Sequence, residues 1–192
     1  MLKAIFNKNK KLIIFIISFL FLDYFFKGFI SITDKSSNHF IPFIYEYFNI
    51  VKGYRNILLQ GTRIFLESLS YTSKVHDNYF IQISNRNQVQ LVYSCLGFGV
   101  ISFWISFILT NLGSLFFKTI WTIGGIIALT LSNILRMALI LISEYWKYNS
   151  LLPFDHHTTY NIYSYLLIFI LMWRYLKALN KNIDKNSITN NY

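Results

Sequence analysis

The 192-residue chain has one cysteine, Cys95, in the stretch "LVYSCLGFGVISFW" (91 to 104). A lone thiol ahead of two glycines and an apolar run is either a small packing group or a nucleophile. Arg136 interrupts the apolar "TIGGIIALTLSNILRMALILIS". A guanidinium inside a membrane helix costs about 2.5 to 3.5 kcal/mol by insertion scales, so it faces a cavity or partner, or snorkels to a helix end. His157 lies in "FDHHTTYNIYSY", just after Pro153. A nucleophile, a fixed cation and a titratable base are together the ingredients of covalent catalysis.

Arg136 and His157 each have polar company. Asn133 precedes Arg136 by three positions, on the same helical face, and Ser143 continues the stripe. Asp155 and His156 precede His157, and His157, Tyr160, Asn161 and Ser164 follow the i, i+3, i+4, i+7 spacing of one helix face. Adjacent histidines point in different directions on a helix and no further ligand cluster accompanies them, so neither a metal nor a cofactor is expected.

The elements that must position these groups are apolar. Hydrophobic residues make up 54% of the chain, aromatic residues 19% and charged residues 14%, a composition suited to a bilayer rather than a soluble domain. Segments 12 to 32, 96 to 110, 119 to 143 and 158 to 176 approach the roughly 20 apolar residues that cross a hydrocarbon core. The first is too long, and too soon followed by more hydrophobic sequence, to be a cleaved signal, so it is expected to stay attached. The formal charge of +10 gathers at the borders of apolar segments, which points to a membrane and not to nucleic acid. One cysteine excludes an internal disulfide and cysteine-only zinc or iron–sulfur sites.

Lys3, Lys8, Lys10 and Lys11 precede the first segment, and Arg174, Lys177, Lys181 and Lys185 close or follow the last, which puts both ends in the cytoplasm. Lys118, between 96–110 and 119–143, agrees with a cytoplasmic turn. The stretch 40 to 71 is hydrophobic but carries Glu46, Lys52, Arg55, Arg63 and Glu67, so it reads as helices at the interface or covering the bundle, or as a tight two-span hairpin. "YFIQIS" (79 to 84) and "QVQLVYS" (88 to 94) alternate apolar and polar residues about "NRN", predicting a short β-hairpin that delivers the chain to Cys95. The expected fold is an all-α polytopic membrane bundle of about 4 to 6 spanning helices with a small extracytoplasmic β-hairpin. Residues 1–181 form one integral membrane domain and 182–192 a polar cytoplasmic tail.

Counting along the last three segments relates the polar groups. At 1.5 Å per residue, Cys95 lies roughly 24 Å from Asn111, Arg136 roughly 27 Å from Lys118, and His157 roughly 25 Å from Arg174. Antiparallel neighbours then bring all three to one depth near the outer surface.

Cys95 with Gly97 at the outer start of a helix, "NILR" (133 to 136) on the next and "HTTY" (157 to 160) opening the last resemble the exosortase/archaeosortase family of membrane cysteine transpeptidases, over residues 88 to 176. The resemblance implies cleavage of a C-terminal sorting signal on exported proteins, itself a short motif, an apolar helix and a basic tail, and transfer of the protein to a surface acceptor. It implies Cys95 as nucleophile, Arg136 as oxyanion stabiliser and His157 as acid/base, with Asn133, Asp155, His156 and Tyr160 supporting them. His157 has the better spacing to Tyr160, but His156 is the alternative. Leu96 departs from the family's small or polar residue between Cys and Gly, and Asn161 from the glycine after the tyrosine. The implied setting is a bacterial or archaeal cell membrane, with the site facing outward. The rival readings are a non-enzymatic membrane scaffold or transporter subunit, and an inactive family member.

Overall fold

The computed structural model describes residues 9–76, 79–83, 87–146 and 156–189, excluding the side chains of 87, 94, 144, 146, 156–161 and 182–189. Helix α1 runs Lys10–Thr33, with exposed Leu12, Phe21 and Phe25 on a helix that is apolar nearly all round. Such a helix suits a lipid environment. It ends where Thr33 turns its hydroxyl back on the Phe29 carbonyl (2.8 Å) and Asp34 becomes extended. The Asp34 carboxylate then accepts from the Ser36 N–H (3.0 Å), closing a side-chain turn.

A short helix α2, Pro42–Tyr47, starts with proline in its first turn, where the missing N–H costs nothing. Helix α3, Ile50–Ser68, is capped by Asn49, whose side chain accepts from the Lys52 N–H at 2.8 Å. Val51, Arg55, Leu58, Leu59, Thr62 and Leu66 are buried along one face, while Arg63 and Glu67 pair at 2.8 Å on the other. That amphipathic face lies on the later long helix α5 (Leu115–Trp146): Tyr54 Oη is 3.2 Å from Thr130 Oγ1, and a Cβ at Gly61 would overlap the end of Ile134. Within the 40 to 71 stretch, α3 therefore packs as a cover on α5, and it is not one of the three helices that, among the described residues, are long and apolar enough to span.

The sheet is an antiparallel meander of β1 (Ser73–His76), β2 (Phe80–Ile83) and β3 (Asn87–Gln90), in that spatial order. The expected hairpin is β2–β3, shorter than its sequence pattern, with Ile81 opposite Val89. Strand β1 has no counterpart in the sequence reading and pairs Val75 with Ile81. Ile81, Ile83 and Leu91 point inward and are fully or almost fully buried with Leu58, Leu59, Leu66, Met137, Ala138 and Leu141. Each Leu or Ile removed from water here contributes about 1.5 to 3 kcal/mol.

After a 3-10 turn at Tyr93–Leu96, helix α4 spans Phe98–Thr110, α5 spans Leu115–Trp146 and α6 spans His156–Thr189. The stretches of α1, α5 and α6 long and apolar enough to cross a membrane are Lys10–Thr33, Leu115–Ser143 and Ile162–Lys181. The 96 to 110 segment corrects the sequence reading. Gly97 adopts φ +76°, a left-handed conformation that interrupts the helix, so α4 has 13 residues and rises only about 20 Å. The thiol sits on the 3-10 turn just before α4.

A second core joins α4, α5 and α6. Trp104, Ile108, Leu129, Ile168 and Tyr175 pack together. The Trp104 indole N–H donates to the Trp121 carbonyl (3.2 Å), and Gly125 leaves it room: a Cβ there would sit inside the indole. Tyr175 donates to the Leu112 carbonyl (2.9 Å), tying α6 to the α4–α5 turn. Helix α1 packs on α4 through Phe15 against Phe103 and Phe26 stacked on Phe98.

Candidate active site

The Cys95 turn is fixed from three sides. Its backbone N–H donates to the Val92 carbonyl at 2.9 Å, closing the 3-10 turn. From α5, the Asn133 amide donates to the Cys95 carbonyl at 2.9 Å. This bond gives the "N-x-x-R" spacing a structural meaning, because a group three residues before Arg136 holds the thiol's own backbone. Gly97 completes the arrangement. Its positive φ strains any residue with a Cβ, and such an atom would lie 3.4 Å from Asn133 Nδ2.

The third tether comes from α3 and was missed from sequence. Arg55 is 3% exposed, and its guanidinium carbon lies 4.1 Å from the Tyr79 ring centre and 4.7 Å from that of Tyr93. A desolvated cation between two rings contributes on the order of 2 kcal/mol, and Tyr93 opens the turn that carries Cys95. Burial pushes the Tyr93 phenol above its ordinary pKa, while the neighbouring Arg55 opposes that shift. The signal was present: Arg55 falls on the apolar 51–58–59–62–66 face of α3. A charge on an apolar face marks a buried partner.

Around the turn lies a cavity of about 80 Å³, lined by Tyr54 from α3, Leu96 and Gly97 after the thiol, Asn133 and Arg136 from α5, and Ser164 from α6, among others. Arg136 is half-buried and makes no ion pair among the described residues, where the two pairs are Lys27–Asp23 and Arg63–Glu67. Cys95 is half-buried against the α3–sheet–α5 core. Leu96 is fully buried in that core, which accounts for a large apolar residue between Cys95 and Gly97.

Of the residues singled out in sequence, Asn133 and Arg136 line this cavity with Leu96 and Gly97, while Cys95 is not among its lining residues. Ser164, on the polar face of α6, joins them. His156, His157 and Tyr160 lie on the first turns of α6, but their side chains, and Asp155 altogether, are outside the described residues. Among the described residues no group of three His, Cys, Asp or Glu could hold a metal.

No protein-family model matches the chain, and neither a curated protein nor a solved structure matches it.

Proposed function

We propose that the protein is a multi-pass enzyme of a bacterial or archaeal cell membrane, an exosortase-like cysteine transpeptidase or peptidase with both termini in the cytoplasm and its site facing outward. The observation that carries this reading is the Asn133–Cys95 hydrogen bond, with Arg136 one turn further along α5 on a cavity that reaches Leu96 and Gly97. In support of it, Asn133 and Arg136 line that cavity together with the two residues that follow the thiol in sequence. The basic residues flanking the first and last spans support the orientation.

In this mechanism the Cys95 thiolate attacks the scissile carbonyl of an exported protein near its C-terminal sorting signal, forming a C–S bond. The carbonyl oxygen becomes an oxyanion, held by Arg136 in a poorly hydrated cleft where a fixed charge acts more strongly than in water. The C–N bond breaks as His157, or His156 in its place, gives its proton to the departing amine. An acceptor amine or hydroxyl then loses its proton to the neutral imidazole and attacks the thioester. The product is released and the thiolate regenerated.

Replacing Cys95 with Ala in cells carrying an exported protein with a short motif, an apolar helix and a basic tail should leave that protein at full length. Processing at the normal rate would overturn the proposal.

One observation favours a second reading, a packing role in a non-enzymatic scaffold or transporter subunit: Cys95 rests against an apolar core. The two differ in thiol chemistry. A catalytic thiol reacts with a membrane-impermeant electrophile near neutral pH faster than a free model thiol, whereas a packed one is inert.

A further inference from the structure

A larger groove, of about 560 Å³, runs along the seam of α5 and α6. Leu131, Leu135 and Leu139 form one wall, and Leu166, Leu167 and Ile170 the other. Most of these leucines and the isoleucine are about half exposed, on the two helices whose length and apolarity suit a bilayer. Polar groups in the groove include Ser132, Arg136 and Ser164, and these three also line the smaller cavity beside the Cys95 turn. The two spaces therefore share one polar wall with one guanidinium in it.

The shape and charge of the groove select an occupant. Its volume falls in the range of about 300 to 1,000 Å³ typical of small-molecule sites, too small to enclose a helix about 10 Å across. The greater part of the lining is aliphatic, which suits a hydrocarbon chain. Arg136 has no carboxylate partner among the described residues. A cation so placed is stabilised by an anion that arrives with the chain.

We propose that the groove binds a membrane phospholipid with an anionic headgroup, its phosphate against Arg136 and an acyl chain along the α5–α6 seam. Ser132 and Ser164 flank the headgroup position from opposite helices. The binding site shares Arg136 with the enzymatic reading but not Cys95, which is among the lining residues of neither cavity.

The test uses the full chain, purified in a neutral detergent and offered equal amounts of phosphatidylglycerol and phosphatidylcholine, with retained lipid identified by native mass spectrometry. The expected result is a phosphatidylglycerol preference of about tenfold, equivalent to about 1.4 kcal/mol. Arg136→Gln should bring the ratio near one. Ala128→Phe, which narrows the apolar end, should reduce retention of both lipids. Equal retention by the unmodified protein, or an undiminished preference in Arg136→Gln, would overturn the proposal. A second measurement on the unmodified protein stands even where a variant fails to fold. A photoreactive acyl chain on phosphatidylglycerol should label peptides within 128–139 and 163–170, and labelling confined to α1 or α4 would contradict the site. Cys95→Ala should keep the lipid while losing processing, so failure of the enzymatic reading and failure of this one give different results.

Discussion

The Asn133 side-chain amide donates to the Cys95 carbonyl at 2.9 Å, joining the middle of α5 to the turn that precedes α4. Residues 38 positions apart are thereby fixed to one another, and of the two Asn133 lines the small cavity. The bond turns a sequence spacing into a constraint on where the thiol's backbone can sit.

Removing the donor should loosen that constraint. Asn133→Ala is expected to cost about 0.5 to 1.5 kcal/mol, the net contribution of a part-buried hydrogen bond. Asn133→Asp should be at least as damaging, because an ionised carboxylate cannot donate. Thermal unfolding in detergent measures both, and the rate of Cys95 alkylation should change in parallel. An Asp variant as stable as the original would show that the bond contributes nothing.

Gly97 allows the chain to turn from the 3-10 segment into α4. Gly97→Ala should cost about 1 to 2 kcal/mol from the left-handed backbone alone, and its Cβ would press toward Asn133. Adding Gly97→Ala to Asn133→Ala should therefore cost less than the sum of the two. A double-mutant cycle reads this coupling, and strict additivity would count against it.

How much of this was legible follows from what each residue shows in sequence. The apolar segments of α1, α5 and α6 announce themselves by length. The β2–β3 hairpin does so by alternation, whereas β1 carries only Val75 as an inward apolar residue and forms because β2 offers it an edge. The shortening of α4 turns on one φ angle at Gly97, and a glycine permits that angle without announcing it. The Asn133–Arg136 stripe was readable from helical periodicity. Asn133's partner was not, because a backbone carbonyl looks alike at every position. Arg55 was visible as a charge on an apolar face, but its ring partners, Tyr79 and Tyr93, come from the sheet and the turn that folding brings to it.

Tyr54 links α3 to α5 beside the same cavity, and burial raises its phenol above the ordinary pKa while its bond to Thr130 opposes the shift. A phenol whose folded-state pKa is raised adds stability that is fully present below its unfolded value, about 10. That stability is lost as pH rises through the window above it. Tyr54→Phe should cost about 0.5 to 1.5 kcal/mol at neutral pH through the lost hydrogen bond. Between about pH 9 and 11 its Tm should fall less than that of the unmodified protein. Parallel Tm curves for the two would contradict the sign.

At the other core, Gly125 receives the Trp104 indole. Gly125→Ala is expected to destabilise by about 1 to 3 kcal/mol through overpacking, despite alanine's better helix propensity. Gly124, with open space around its Cβ position, is the control: Gly124→Ala should stabilise by up to about 1 kcal/mol. Equal effects at the two sites would refute the close approach.

Catalysis as proposed requires the Cys95 sulfur and the His157 imidazole to come within reach of each other, and one engineered cysteine tests this without a substrate. Because Cys95 is the only native thiol, His157→Cys creates a single pair, which dibromobimane, a short fluorogenic thiol–thiol linker, can bridge. Phe169→Cys, exposed lower on α6, gives the comparison. Rapid fluorescent bridging is expected at 157 and none at 169. No bridging at 157 in a folded protein whose two thiols each react singly would contradict it.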